Sequence, residues 1–201
     1  MREIKTISLS HIVALRSERV AAQAFWIFTF AILTAIGAQI EIPHQPVPFT
    51  LQTLFVLLAG GLLGRRNGFL SMSAYLCMGA LGLPVFAGGL TGFARLVGPT
   101  GGYLLGFPVA AFVIGSMLST MPSWIARMNG KTLKAGLVFG WGLISMGAGL
   151  VLIFLLGTVQ LNALYFHNWN SSFGSGFLIF SWWDLAKLLV AAGIWKELGK
   201  F

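Results

Sequence analysis

An aspartate and a lysine three positions apart, Asp184 and Lys187, interrupt an apolar run near the C-terminus, in Ser181-Trp182-Trp183-Asp184-Leu185-Ala186-Lys187. On a helix that spacing puts both side chains on one face. A charge held in hydrocarbon costs between roughly 3 and 10 or more kcal/mol, so such residues face a bundle interior or a wet cavity. One reading is a pair that neutralises itself, or a lysine that snorkels to headgroups. The other is a binding wall. A carboxylate accepts from N–H groups and an ammonium binds a carboxylate, which suits a ligand with an amide-like or ureido head and a carboxylate tail.

A second group of candidates lies in the glycine-rich stretch that runs through Phe86 and Arg95 to Gly98-Pro99-Thr100-Gly101-Gly102-Tyr103. Glycines there permit tight turns and close backbone approach to a ligand. The run also leads into a helix whose first N–H groups can hold an anion. An ordinary external loop with packing glycines is the competing reading. A third element, Pro43-His44-Gln45-Pro46-Val47-Pro48-Phe49-Thr50-Leu51-Gln52, is a stiff extended lead into a helix. Gln52 there is an amide that needs partners, from a neighbouring helix or from a ligand. Glu41 and His44 resemble an acid–base pair but have no third partner nearby, so they read as interfacial polar residues. No G-x-x-x-x-G-K-[ST] occurs, so the chain carries no P-loop for ATP hydrolysis. Cys77 is the single cysteine, which excludes an internal disulfide or a thiolate metal cluster.

The elements that must position these residues are transmembrane. Hydrophobic residues make up 57% of the 201 positions and charged residues 9%, where soluble domains run near a quarter charged. Uncharged or nearly uncharged runs cover 20–40, 49–64, 68–86, 100–121, 135–164 and 177–195. A span needs about 20 apolar residues. The second and third runs are the weakest and read alternatively as a re-entrant hairpin; six spans is the reading preferred. Basic residues sort by loop. With both termini inside, eleven of the 13 lie on the inner side: Arg2, Lys5, Arg16, Arg19, Arg65, Arg66, Arg127, Lys131, Lys134, Lys196 and Lys200. Arg95 alone falls outside, and Lys187 lies within a span. This bias sets both termini in the cytoplasm.

The expected architecture is therefore an all-α, polytopic bundle of six transmembrane helices forming a single domain over 1–201. It has a cytoplasmic tail at 1–19, a bundle at 20–199 and an external glycine-rich loop at 84–100. The formal charge of +8 does not indicate nucleic acid, because the basic residues are not gathered in one patch interleaved with aromatics. Ala31 and Ala35, one turn apart on the first span, form a small-residue face of the kind that lets helices approach closely in lipid. A protein partner is one candidate for that face.

The run Pro46 to Gln52, with Leu63-Gly64, Gly82-Leu83-Pro84-Val85-Phe86, Gly98 to Tyr103 and Asp184-Leu185-Ala186-Lys187, resembles the BioY family. These are biotin-specific substrate-binding subunits of energy-coupling factor (ECF) transporters. The likeness extends over about 36–187. It departs at Trp182-Trp183, where the family usually has Pro-Gly, and at Leu104, where some members carry an arginine. The resemblance implies a six-helix protein of the plasma membrane with an extracytoplasmic biotin pocket and no catalysis or cofactor of its own. ATP hydrolysis would belong to two ATPase subunits, joined through a transmembrane coupling subunit. It also implies biotin contacts from Asp184 and Lys187, with Gln52, Phe86, Arg95, Thr100, Gly101, Gly102 and Tyr103 as further candidates. Two readings remain beside it: a self-sufficient secondary transporter for this or another small carboxylate, with Asp184 cycling a proton, and a membrane enzyme using Asp184, His44 and Glu41.

Overall fold

The computed structural model describes residues 20–127, 130–178 and 182–198. The expected tail at 1–19, with Arg2, Lys5, Arg16 and Arg19, lies outside them, as do Ser181 and Lys200. In lipid a backbone must satisfy its own polar groups, so long apolar runs fold as helices. All six runs do so. Helix α1 is Val20–Gln39; a two-stranded hairpin, β1 (Glu41–Ile42) with β2 (Phe49–Thr50), follows it. Helix α2 (Gln52–Leu58) continues through a π turn, Ala59–Leu63, into α3 (Gly64–Ala80). Helix α4 is Gly101–Ser119 and α5 the short Ser123–Ala126. Helix α6 (Lys131–Leu161) is prolonged by a π turn, Asn162–Phe166. Then come α7 (Trp169–Ser172), its π turn Phe173–Phe177, and α8 (Trp182–Leu198).

Among the described residues, α1, α4 and the stretch Lys131–Phe166 are each long and apolar enough to cross a membrane unaided. Trp169–Phe177 and Trp182–Leu198 qualify together as a pair bent by 51°. The weak second and third runs become two shorter helices, of about 18 and 25 Å at 1.5 Å per residue. They meet at Gly64, whose φ of 78° reverses the chain sharply. The third run, interrupted by Pro84, leaves the helix before the proline: α3 stops at Ala80. Gly82 takes φ 102°, and the residue before Pro84 is steered away from helical backbone.

Lipid supplies no hydrophobic drive between helices, so close packing must hold them. The contact between α4 and α6 is the clearest case. A Cβ on Gly157 of α6 would enter the ring of Tyr103, and one on Gly149 would enter the side chain of Ile114. Trp195 of α8 lies over Gly142 of α6 and Gly61 of the π turn in the same manner. Ala31, a proposed partner contact, is 0% exposed and belongs to the core, while Ala35 is half-buried against it. That small-residue face packs α1 onto α3 inside the bundle, where the Ser71 hydroxyl donates to the Ile27 carbonyl at 2.7 Å. The expectation of a partner contact at Ala31 is corrected accordingly: that residue has no exposed surface, and the close approach it permits is intramolecular.

The two ends of the bundle differ. Gly115 of α4 abuts Arg65, and the Trp141 indole donates to the Met117 carbonyl at 3.1 Å. Arg65, Arg66, Arg127, Lys131, Lys134 and Lys196 therefore share one end. The hairpin and the 81–100 loop lie at the other.

Candidate functional site

At that second end a cavity of about 670 Å³, counting its open mouth, lies between α2, α4, α6, α8, the hairpin and the 81–100 loop. Its apolar wall includes Phe86, Phe107, Ile153 and Phe154; Thr50, Gln52, Thr53, Arg95, Thr100, Tyr103, Asp184 and Lys187 supply polar groups.

The hairpin brings the first of these in. Leu51 N–H donates to the carbonyls of Gly37 and Ile40, at 3.1 and 3.2 Å, and so fixes β2 against the end of α1. Thr50 then stands beside α8. Asp184 and Lys187, in the first turns of α8, are buried to 3% and 5% side-chain exposure, and Lys187 Nζ lies 2.6 Å from Asp184 Oδ1. The same ammonium donates to the Thr53 hydroxyl at 2.6 Å and to the Thr50 carbonyl at 3.0 Å. An ammonium has three donors, and three oxygens take them. The two charges neutralise each other and also line the cavity. Lys187 ties α8 to the start of α2, and it has no further N–H to offer a carboxylate.

Arg95 occupies a different position in the wall. It ends a 3-10 turn, Phe93–Arg95, which follows Gly92 at φ 92°. Its side chain is half-buried, and its guanidinium makes no hydrogen bond or ion pair among the described residues. The Thr100 hydroxyl on the same wall is likewise without a hydrogen-bond partner among them.

Gln52 is more committed. Its amide donates to the Tyr75 hydroxyl at 2.6 Å and accepts from the Thr50 hydroxyl at 2.8 Å, and Tyr75 donates onward to the Val85 carbonyl at 3.1 Å. The residue lines the cavity, but its bonds tie the hairpin, α3 and the base of the loop together. Phe86, 1% exposed, stands edge-on to Tyr75 with ring centroids 5.7 Å apart. Tyr103 is nearly as buried; its hydroxyl donates to the Gly176 carbonyl at 2.8 Å and its ring stands edge-on to Phe154.

Gly101 and Gly102 are the two expected contacts that are not on the cavity surface. A Cβ on Gly101 would strike the Leu96 carbonyl, and one on Gly102 the Leu156 carbonyl of α6. They are needed for packing. His44 and Glu41 form no acid–base centre: the His44 ring tilts over Phe49 and its Nδ1 lies 3.3 Å from the Val47 carbonyl oxygen. Among the described residues no group of three His, Cys, Asp or Glu side chains gathers into a metal site. Thr53, Phe107 and Phe154 escaped the sequence reading. Thr53 had one signal, a polar residue one position after Gln52 in an apolar run.

Comparison with known proteins bears on this geometry. The BioY family model matches residues 8–201. The chain is 44% identical over 171 residues to the biotin transporter BioY of Thermotoga maritima, covering 85% of this chain and 92% of that protein. It is 39% identical to the probable biotin transporter BioY of Pyrococcus horikoshii, over 84% and 91% of the two chains. Among solved structures, it resembles the S-component for biotin from an ECF-type ABC transporter, with a TM-score of 0.75, 27% identity, and coverage of 89% of this chain and 90% of that one. With the match running through the hairpin, the glycine-rich loop and the Asp184–Lys187 pair, this chain belongs to the BioY family.

Proposed function

We propose that this chain captures biotin in the cavity between α2, α4, α6 and α8, and serves as the substrate-binding subunit of an ECF-type transporter. The observation that carries the reading is the joining of a polar cluster built on a buried Asp184–Lys187 pair to an apolar wall in one cavity, in a chain whose relatives over nearly their full length are biotin transporters. Biotin has a ureido ring with two N–H donors, an apolar chain and a carboxylate. Asp184 accepts from the ureido N–H groups, held in place by the ammonium at 2.6 Å. Phe86, Phe107 and Phe154 cover the apolar part. Because Lys187 already serves three oxygens, Arg95 takes the carboxylate as a charge-assisted partner, with the Thr100 hydroxyl on the same wall. Gln52 and Tyr103 shape the wall, and Gly101 and Gly102 support it from behind.

The positive-inside rule puts the basic end in the cytoplasm and the cavity outside, in the plasma membrane, where substrate arrives. The whole chain works as one transmembrane unit. ATP hydrolysis belongs to two ATPase subunits reached through a transmembrane coupling subunit. The relatives are transporters, which removes the enzyme reading of Asp184, His44 and Glu41.

Equilibrium titration of the purified full chain with biotin, without ATP or other subunits, tests the proposal. Saturable binding at one biotin per chain is the expected result. No saturable binding by folded protein would reject it.

A further inference from the structure

The candidate carboxylate partner, Arg95, sits in a loop rather than on a helix, and a loop positions a charge only if something fixes the loop. The 81–100 connection bends at Gly82, Gly88, Gly89 and Gly92, all with positive φ. Downstream of Arg95 one side chain from another element holds it. Gln160, near the outer end of α6, donates both hydrogens of its amide to the loop, to the Leu96 carbonyl at 3.0 Å and the Gly98 carbonyl at 2.8 Å. The backbone closes on the other side, where Gly98 N–H donates to the Arg95 carbonyl at 3.2 Å. One amide thus fixes the two carbonyls that begin one and three residues after Arg95.

The glycine pair at the start of α4 belongs to the same arrangement. A Cβ on Gly101 would lie 2.5 Å from Gln160 Nε2, and one on Gly102 would lie 2.8 Å from Gln160 Cβ. A side chain at either position would crowd Gln160 as well as the Leu96 or Leu156 carbonyl. The run Gly98-Pro99-Thr100-Gly101-Gly102 therefore folds around the Gln160 amide, which the apolar surroundings of α6 make the more specific: an unmade amide bond in such a place is costly.

We infer that Gln160 is a positioning residue for substrate recognition, fixing Arg95 so that its guanidinium meets the ligand carboxylate. The inference rests on the proposed biotin cavity with Arg95 as the carboxylate partner. Gln160 itself does not line the cavity, so it acts through the loop. Its contribution accordingly belongs to the carboxylate and not to the ureido ring.

That distinction sets the experiment. Kd is measured for biotin and for biotinamide, in which a neutral amide replaces the carboxylate, on the purified full chain and on Arg95→Met, Gln160→Met and the double variant. A correctly placed charge-assisted contact is worth roughly ten- to hundredfold in affinity. The native chain should prefer biotin by about that factor, and Arg95→Met should abolish the preference. Gln160→Met should cut the preference by roughly fivefold or more while changing biotinamide affinity less than about twofold, and should have no further effect on the preference in the Arg95→Met background, as coupled sites behave. Equal weakening of both ligands by Gln160→Met would mean a merely structural role and overturn the inference, as would an unchanged preference. A preference that survives Arg95→Met would instead overturn the carboxylate assignment beneath it. Should Gln160→Met not fold, Gln160→Leu, neutral and of similar size but without the two donors, carries the same comparison.

Discussion

Replacing Lys187 by Met keeps the apolar stem and removes the ammonium from the most buried charge pair in the cavity wall. Three oxygens then lose a donor: Asp184 Oδ1 and Thr53 Oγ1, each at 2.6 Å, and the Thr50 carbonyl at 3.0 Å. Removing one partner of a buried pair costs about 3–5 kcal/mol, because the other charge stays behind in a low-dielectric site. Asp184→Asn is the milder change. It leaves the ammonium on Thr50 and Thr53 with an amide oxygen in place of the carboxylate, so the loss lies nearer about 1.5–3 kcal/mol. The double variant carries neither charge and should recover most of the stability that Lys187→Met loses. Binding should behave differently. Asp184→Asn should weaken biotin by roughly ten- to hundredfold, and the double variant should bind worse than Asp184→Asn even though it folds better than Lys187→Met. Thermal unfolding followed by tryptophan fluorescence gives the stabilities, and biotin titration of the same four preparations gives the affinities. Native affinity in the folded double variant, or native stability in Lys187→Met, would refute the reasoning.

Three further outcomes are expected. Ala31→Trp should destabilise the chain by about 1–3 kcal/mol or more, since the ring has no room between α1 and α3; a normal unfolding midpoint in that variant would contradict the intramolecular role. In a Cys77→Ser background, cysteine at the exposed Phe93 position should react with a membrane-impermeant thiol reagent in intact cells, and cysteine at the exposed Trp124 position should not; the reverse pattern would invert the orientation. Gly157→Ala should displace the Tyr103 ring, lowering both the unfolding midpoint and biotin affinity, whereas binding at the native level would show that Tyr103 does not shape the wall.

What could be read from the sequence divides along a physical line. Asp184 and Lys187 announce themselves, because charge in an apolar span is costly and the three-residue spacing fixes a common face without any tertiary knowledge. The helical, membrane-spanning character was legible on the same grounds, and so was the weakness of the second and third runs, which fold as two short helices turned at Gly64. What the pattern leaves open is which neighbour a small residue faces. Ala31 and Ala35 advertise close approach without naming the approaching helix, and α3, some 40 positions on, takes the place a foreign helix was expected to fill. Gly101 and Gly102 pose the same ambiguity in a sharper form: a glycine that admits a ligand and a glycine that admits a side chain look alike in sequence. The side chain admitted here is Gln160, more than 55 positions away, and its meaning exists only in the pairing with the Leu96 and Gly98 carbonyls. A lone glutamine in an uncharged span of α6 was the available signal. In lipid an amide cannot be left unsatisfied cheaply, so such a residue must be bonded to something, and the glycine pair that clears space for it marks where.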